Sequence, residues 1–460
     1  MDTEILARIQ FAFTICFHYL YPPLSIGLGV ILVLMEGAYI KTKNPLYERM
    51  TKFWVKVFAL TFALGVATGI VMEFEFGTNW ATYSRFVGDV FGSALAAEGI
   101  FAFFLESGFL ALLVFGWEKV KPRTHFIATI MVSLGSMFSA VWIVVANSWQ
   151  QTPSGYHLVG NGTYVRAEIT DFWKLVFNPS SMERLTHVLS GAWLAGSFFV
   201  ISVSAFYILR KRHLDFARAS FKIALILALL ASYFQLFTGH RSAMVVSRFQ
   251  PEKLAAMEAH FDSLAPAPLH LFGWVNQEKQ EVKFGVAVPG LLSYLISGDR
   301  QFKVKGINYF PKDEIPPVNI VFQSYHLMIA IGMFLIFIST LGAFLWWRKK
   351  LFDHRWLLWI FVFSVLAPQI ANQVGWITAE VGRQPWIVYG LLKTSEALSK
   401  AVQAHQIVFS LILFTIIYLF LFILFIYLLN EKIQLGPDEP ETIPSEYETH
   451  KLLFEEKKKS

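Results

Sequence analysis

The chain has 460 residues, 55% of them hydrophobic and only 16% charged, with a mean hydropathy of +0.49. Soluble domains carry about 25% charged residues, so a water-soluble enzyme is excluded, and the net charge of +6 sits in short segments beside apolar runs rather than in a nucleic-acid-binding patch. The single cysteine, Cys16, excludes an internal disulfide framework and any multi-thiolate metal site.

Runs apolar enough to cross a bilayer, about 18 residues or more, fall at 12–40, 53–76, 93–117, 125–146, 185–209, 219–239, 319–347, 356–377 and 405–429. The expected fold is all-α, a polytopic transmembrane helical bundle of nine spans. Spans one to six occupy 1–239, a long connection 240–318, spans seven to nine 319–430, and a tail 431–460. The start of the chain lacks the basic stretch and cleavage site of a signal peptide, so span one is expected to be retained.

Lys41, Lys43, Arg49 and Lys52 follow span one, and Lys119, Lys121 and Arg123 follow span three. Arg210, Lys211, Arg212 and Arg218 follow span five, Arg348, Lys349, Lys350 and Arg355 span seven, and the tail ends in EKKKS. The alternate connections hold few basic residues. By the positive-inside rule the N-terminus is outside and the C-terminus cytoplasmic. The connection 240–318 then lies outside. It carries EKLAAMEAHF (252–261), with helical spacing, and APAPLH (265–270). Connections longer than about 15 residues are functional or disordered, so it reads as a substrate-facing loop, with a solvated spacer as the alternative.

Of twelve histidines, His18, His187, His326 and His405 sit in or at the edge of spans toward the outer side. Imidazole is a common axial ligand of haem iron, and four at similar depth suggest a cofactor layer; structural histidines are the alternative. Met328 in FQSYHLM (322–328) is either core filler or the partner in a His/Met haem site. Glu98 and Glu106, in EGIFAFFLE, are charged groups inside span three. A helix separates them by about 12 Å along its axis and roughly 80° around it. That spacing suits a proton relay assisted by Ser107 and Ser139, or else two buried protonated acids. Glu73 and Glu75 end span two, and Glu380 with Arg383 follows span eight in WITAEVGRQPW (376–386).

GRQPW (382–386), MEFEFGTNW (72–80), AAEGIFAFFLES (96–107) and KFWVKVFALTFALGVATG (52–69) closely resemble subunit I of the cytochrome bd-type quinol oxidases, over essentially the whole chain. The resemblance implies a haem-bearing oxidase subunit that oxidises quinol outside and reduces oxygen to water with cytoplasmic protons, building membrane potential without pumping. It implies two b-type haems and one d-type haem, the third b-type in some members. It also implies a second large subunit, with a small single-span subunit in some, in a bacterial cytoplasmic membrane. His187 and Met328 would hold the low-spin b haem, and His18 a high-spin haem. Glu98 would sit at the oxygen-reducing haem, Glu106 in its proton path, and Glu380 at the other high-spin haem. Trp376 would lie among the haems and Arg383 beside their propionates. Lys253 and Glu258 match the family's quinol-binding loop, here in its short form; as residues five apart on a helix they would point about 140° apart. His326 stands where a family member has arginine, so His326 and Met328 are alternative ligands. Two residues on a helix are about 200° apart, so both cannot face one iron, and the resemblance favours Met328.

Other redox classes fit less well. A haem–copper oxidase needs a histidine cluster for copper, and a two-haem quinol–cytochrome c reductase cytochrome b needs paired histidines on two spans. A proton-coupled transporter would explain the glutamates but not the histidines.

Overall fold

The computed structural model describes residues 2–162 and 165–438. Among them, nine helical stretches are long and apolar enough to cross a membrane. The tail's lysines, beyond residue 438, lie outside the described residues.

The first span is a broken helix. Asp2 caps α1 (Thr3–His18) by accepting from the Glu4 amide at 3.1 Å. Pro22 and Pro23 cannot extend a helix from the preceding turn but suit a helix start, so the chain stops at His18 and restarts as α2 (Pro22–Thr42). The apolar run beginning at residue 12 is thus one arm of a longer, interrupted element. Asn44 caps α3 (Pro45–Thr78), and the short α4 (Ala81–Phe86) leads into span three.

Span three is α5 (Gly88–Glu98), a π-helical turn Gly99–Phe103, and α6 (Phe104–Phe115). There follow α7 (Pro122–Gln151), the antiparallel pair β1 (Tyr156–Val159) and β2 (Arg166–Ile169), α8 (Phe172–Val176), α9 (Ser181–Leu209) and α10 (Leu214–Phe249). Helix α10 runs ten residues past the apolar stretch that ends at 239.

The long connection is ordered, with α11 (Pro251–Met257), the hairpin β3 (Leu269–Asn276) and β4 (Glu281–Val288), and α12 (Leu291–Ser297). The bundle ends with α13 (Val318–Trp347), α14 (Arg355–Phe363), α15 (Leu366–Val381), β5 (Trp386–Val388), β6 (Leu392–Lys393) and α16 (Ala404–Leu435).

Helix α9 is the axis of the bundle, with 89% of its apolar window buried, whereas α16 buries only 11%. The largest core cluster joins α2, α3, α9, α10, α13 and α14 through Leu28, Trp54, Phe58, Phe198, Phe221 and Phe361, all fully buried. Gly27 and Gly196 let α2 and α9 touch backbone to backbone; a Cβ on Gly27 would fall 2.3 Å from the Ala192 carbonyl. We call the end of the bundle bearing the connection between α10 and α13 the loop end. The clusters of basic residues lie at the opposite end.

Candidate functional site

At the loop end the termini of α7, α9, α11 and α15 deliver one polar network. Glu380, on the last turn of α15, accepts from Asn147 Nδ2 at 3.0 Å and Gln151 Nε2 at 3.2 Å, both on α7, and pairs with Arg383. Arg383 also donates to Gln150 Oε1 at 3.3 Å, and Arg184 from α9 donates to Asn147 Oδ1. Lys253, only 2% exposed, donates to Gln151 Oε1 at 3.1 Å and the Ala379 carbonyl at 2.8 Å. Burial, with Arg184 nearby, holds its ammonium well below the ordinary lysine range. So Lys253 and Glu380, assigned by resemblance to a quinol loop and to a haem, belong to one assembly. A cleft lined in part by Gln151, Arg184, Ser242 and Gln250 opens beside it. Trp376, one turn before Glu380, is half-buried against Phe11 at 6.5 Å between ring centroids.

His187 lies within the bundle of α9, α10, α13 and α15. Its Nδ1 is 3.1 Å from Thr238 Oγ1 and its Nε2 3.1 Å from Gln235 Nε2. Asn372 of α15 touches Gly191 of α9, and Gly375, one turn on, leaves room for Met328 of α13: a Cβ there would stand 2.8 Å from the Met328 sulfur. His187 and Met328 therefore enter the same bundle. His326 is differently placed. Both its nitrogens lie near backbone carbonyls, Phe322 O at 2.9 Å and His270 O at 2.8 Å. His18, at the α1–α2 break, sets Nδ1 2.9 Å from Thr68 Oγ1. His405 is exposed at the start of α16. Among the described residues no three His, Cys, Asp or Glu gather as a metal cluster.

These surroundings fit haem. Two imidazoles and a thioether are the right donor classes. Gly69 and Gly239 lie flat against the His18 and His187 rings, where any Cβ would come to 3.3 Å of Cε1. Arg184 and Arg383 offer cations for propionates.

Glu98 and Glu106 both turn toward α7. Ser139 donates to Glu98, and Glu106, 5% exposed, lies beside Ser136. A Cβ on Gly135 would fall 2.9 Å from the Glu106 Cβ, so that glycine admits the close approach. Ser136 and Ser139 share one face of α7, so the roughly 80° offset expected of a regular helix does not hold. The intervening π-turn is wider than an α-turn and takes up the rotation. Ser107 takes no part, since its hydroxyl donates back to the Phe103 carbonyl at 2.6 Å. Glu75 is buried and accepts from Thr14 at 2.7 Å, whereas Glu73 is exposed.

In the connection, α11 ends at Met257 and Glu258 is its C-cap, so EKLAAMEAHF is helical only in its first part. Lys253 and Glu258 are both buried, at 2% exposure each, and neither is a solvated helix charge. Glu258 bonds the hydroxyl of Tyr325 on α13, while its Oε2 has no partner. Burial pushes this carboxyl up to about 8, the Tyr325 hydroxyl opposing.

Sequence reading missed Asn147, Gln151, Arg184, Thr68, Thr238 and Tyr325, whose partners lie up to 233 residues away. It also missed a pair at the opposite end, where Glu36 of α2 bonds His125 Nδ1 of α7 at 2.7 Å and accepts from Thr129. A glutamate within an apolar run was the available signal.

The family model described as cytochrome bd terminal oxidase subunit I matches residues 6–437. Cytochrome bd ubiquinol oxidase subunit 1 of Bacillus subtilis is 41% identical over 448 residues, covering 95% of each chain. Cytochrome bd-II ubiquinol oxidase subunit 1 of Escherichia coli is 35% identical, covering 95% of this chain and 97% of its own. The solved bd oxidase from Geobacillus thermodenitrificans superposes with a TM-score of 0.88 at 29% identity, covering 95% of this chain and 99% of that one. A nine-span helical bundle of this ancestry is a multi-pass bacterial membrane protein and part of a terminal oxidase: the chain belongs to the cytochrome bd terminal oxidase subunit I family.

Proposed function

We propose that this subunit binds quinol at its long connection on the outer face of the cytoplasmic membrane and takes the quinol proton at Glu258. It delivers cytoplasmic protons through Glu106 and Glu98 to the site of oxygen reduction. Because quinol protons leave outside while consumed protons come from inside, turnover builds membrane potential without a pump. His187 and Met328 hold a low-spin b haem, His18 a high-spin haem and Glu380 another, with Glu98 at the oxygen-reducing haem, which is d-type or b-type. Bound haem supplies the electron transfer and oxygen chemistry. Arg383 and Arg184 balance charge around it, Trp376 packs nearby, and Lys253 orients the quinol ring or the loop. A second large subunit covers part of the bundle, with or without a small single-span one.

The observation that carries this reading is the buried Glu258 carboxyl held by Tyr325. Tyr325 and Met328 are three residues apart on α13, about 4.5 Å along its axis. The tyrosine that holds the proton acceptor and the haem ligand thus share one stretch of helix, which supports quinol oxidation beside that haem. His326 lies between the Phe322 and His270 carbonyls and ties β3 to α13, which supports Met328 as the ligand. The test is Glu258→Gln in the complete oxidase. Quinol-driven oxygen uptake should fall by about 10²-fold or more, while every haem band stays present and reducible by dithionite. Unchanged quinol kinetics would reject the site.

A further inference from the structure

The two histidines read as axial ligands are held in the same way, in separate parts of the bundle. His18 of α1 reaches Thr68 of α3, 50 residues on; His187 of α9 reaches Thr238 of α10, 51 residues on. In each case Nδ1 faces the threonine hydroxyl, at 2.9 Å and 3.1 Å. In each case the next residue is a glycine, Gly69 or Gly239, lying against the imidazole.

The direction of these hydrogen bonds follows from what the hydroxyls already do. Thr68 donates to the Leu64 carbonyl at 2.8 Å, and Thr238 to the Gln235 carbonyl at 3.3 Å. A hydroxyl has one proton, so toward the imidazole each threonine can only accept. Each Nδ1 is therefore the donor, and the lone pair stands on Nε2. At His187 the other ring nitrogen, Nε2, lies 3.1 Å from the Gln235 side-chain amide. The glycines then let α3 and α10 come close enough for the threonines to reach.

We propose that Thr68 and Thr238 are positioning residues for the two imidazoles, each fixing the tautomer with the lone pair on Nε2 and locking the rotation of the ring. A hydrogen bond to the distal ring nitrogen orients a ligating histidine and raises its donor strength. The inference rests on the reading of His18 and His187 as haem ligands.

The experiment uses the complete oxidase in membranes, with Thr238→Val, Thr68→Val, the corresponding serine variants and His187→Ala. The readouts are reduced-minus-oxidised spectra and redox titration. Valine keeps the shape and removes the acceptor, so the imidazole becomes a weaker donor and the ferric state is less favoured. In Thr238→Val the low-spin b haem should move to a higher midpoint potential with the high-spin bands unmoved. Thr68→Val should shift a high-spin band and spare the low-spin one, by a smaller amount because the Gly65 carbonyl also reaches His18. Both serine variants should behave as wild type. If Thr238→Val fails to assemble, Thr238→Ser must restore both assembly and potential; failure of both overturns the proposal, as do unshifted potentials in the two valine variants. His187→Ala separates the two levels. A low-spin haem persisting there rejects the ligand reading itself, whereas its loss beside an unshifted Thr238→Val rejects only the positioning role.

Discussion

Glu380 and Glu106 are both carboxyls buried in the same bundle, yet their surroundings are opposites. Glu380 is gripped by Asn147, Gln151 and Arg383, with Lys253 bonded to the same Gln151. Glu106 lies beside the Ser136 hydroxyl, and its Oε1 has no partner among the described residues. A carboxylate balanced by fixed cations is expensive to protonate and suits a permanent charge. One with sparse partners can gain and lose a proton without stranding a counter-charge. A second contrast separates His326, placed between two backbone carbonyls, from Met328, whose sulfur lies against Gly375. Glu380 thus suits a fixed charge at a haem, and Glu106 a site where a proton comes and goes.

The largest effect should come from breaking the saturated network. Glu380→Ala leaves Arg383 buried without its carboxylate, which costs about 3–5 kcal/mol. Thermal denaturation and yield in membranes should both drop, and near-normal stability would mean that the network is not a unit. Next, Glu106→Ala should slow turnover by about 10²-fold while stability and haem content stay near wild type. Full activity with normal charge separation would remove the relay. Met328→Leu should lower the low-spin haem's potential or make it high-spin, whereas a His326 substitution should loosen the connection without that change. The opposite pattern in the haem spectrum would exchange the two assignments.

Two smaller effects sharpen the comparison. Glu258 acts as a base only when ionised, and its carboxyl is raised to about 8. The ionised form grows as pH rises through that value, so kcat/KM for quinol should climb over the same window. Glu258→Gln should flatten this limb, and an identical profile in the variant would place the base elsewhere. Ser139→Ala removes one hydroxyl from Glu98. At about 0.5–1.5 kcal/mol per hydrogen bond, turnover should slow up to roughly tenfold, and a loss as deep as that of Glu106→Ala would make Ser139 indispensable.

The nine spans were legible in the sequence because bilayer thickness is written into the length of apolar runs. Glu380 and Arg383 were legible as a pair because three residues on a helix are neighbours. The common facing of Glu98 and Glu106 was not, since it depends on a π-turn that no apolar period marks. Thr68, Thr238 and Tyr325 were invisible for a different reason. A threonine in an apolar helix reads as filler until the partner from another helix is known. The β3–β4 hairpin did carry a signal, two aromatic and β-branched runs around the polar stretch NQEKQ, hidden within a connection scanned for helical spacing.

The Glu36–His125 pair also bears on how the protein is made. Glu36 belongs to the second helix to leave the ribosome, but its partners His125 and Thr129 follow 89 and 93 residues later. At roughly 5–20 residues per second, the nascent chain waits about 5–18 s with that carboxyl unmatched. Until α7 arrives, that carboxyl is held without its partners, near the end of α2 that carries Lys41.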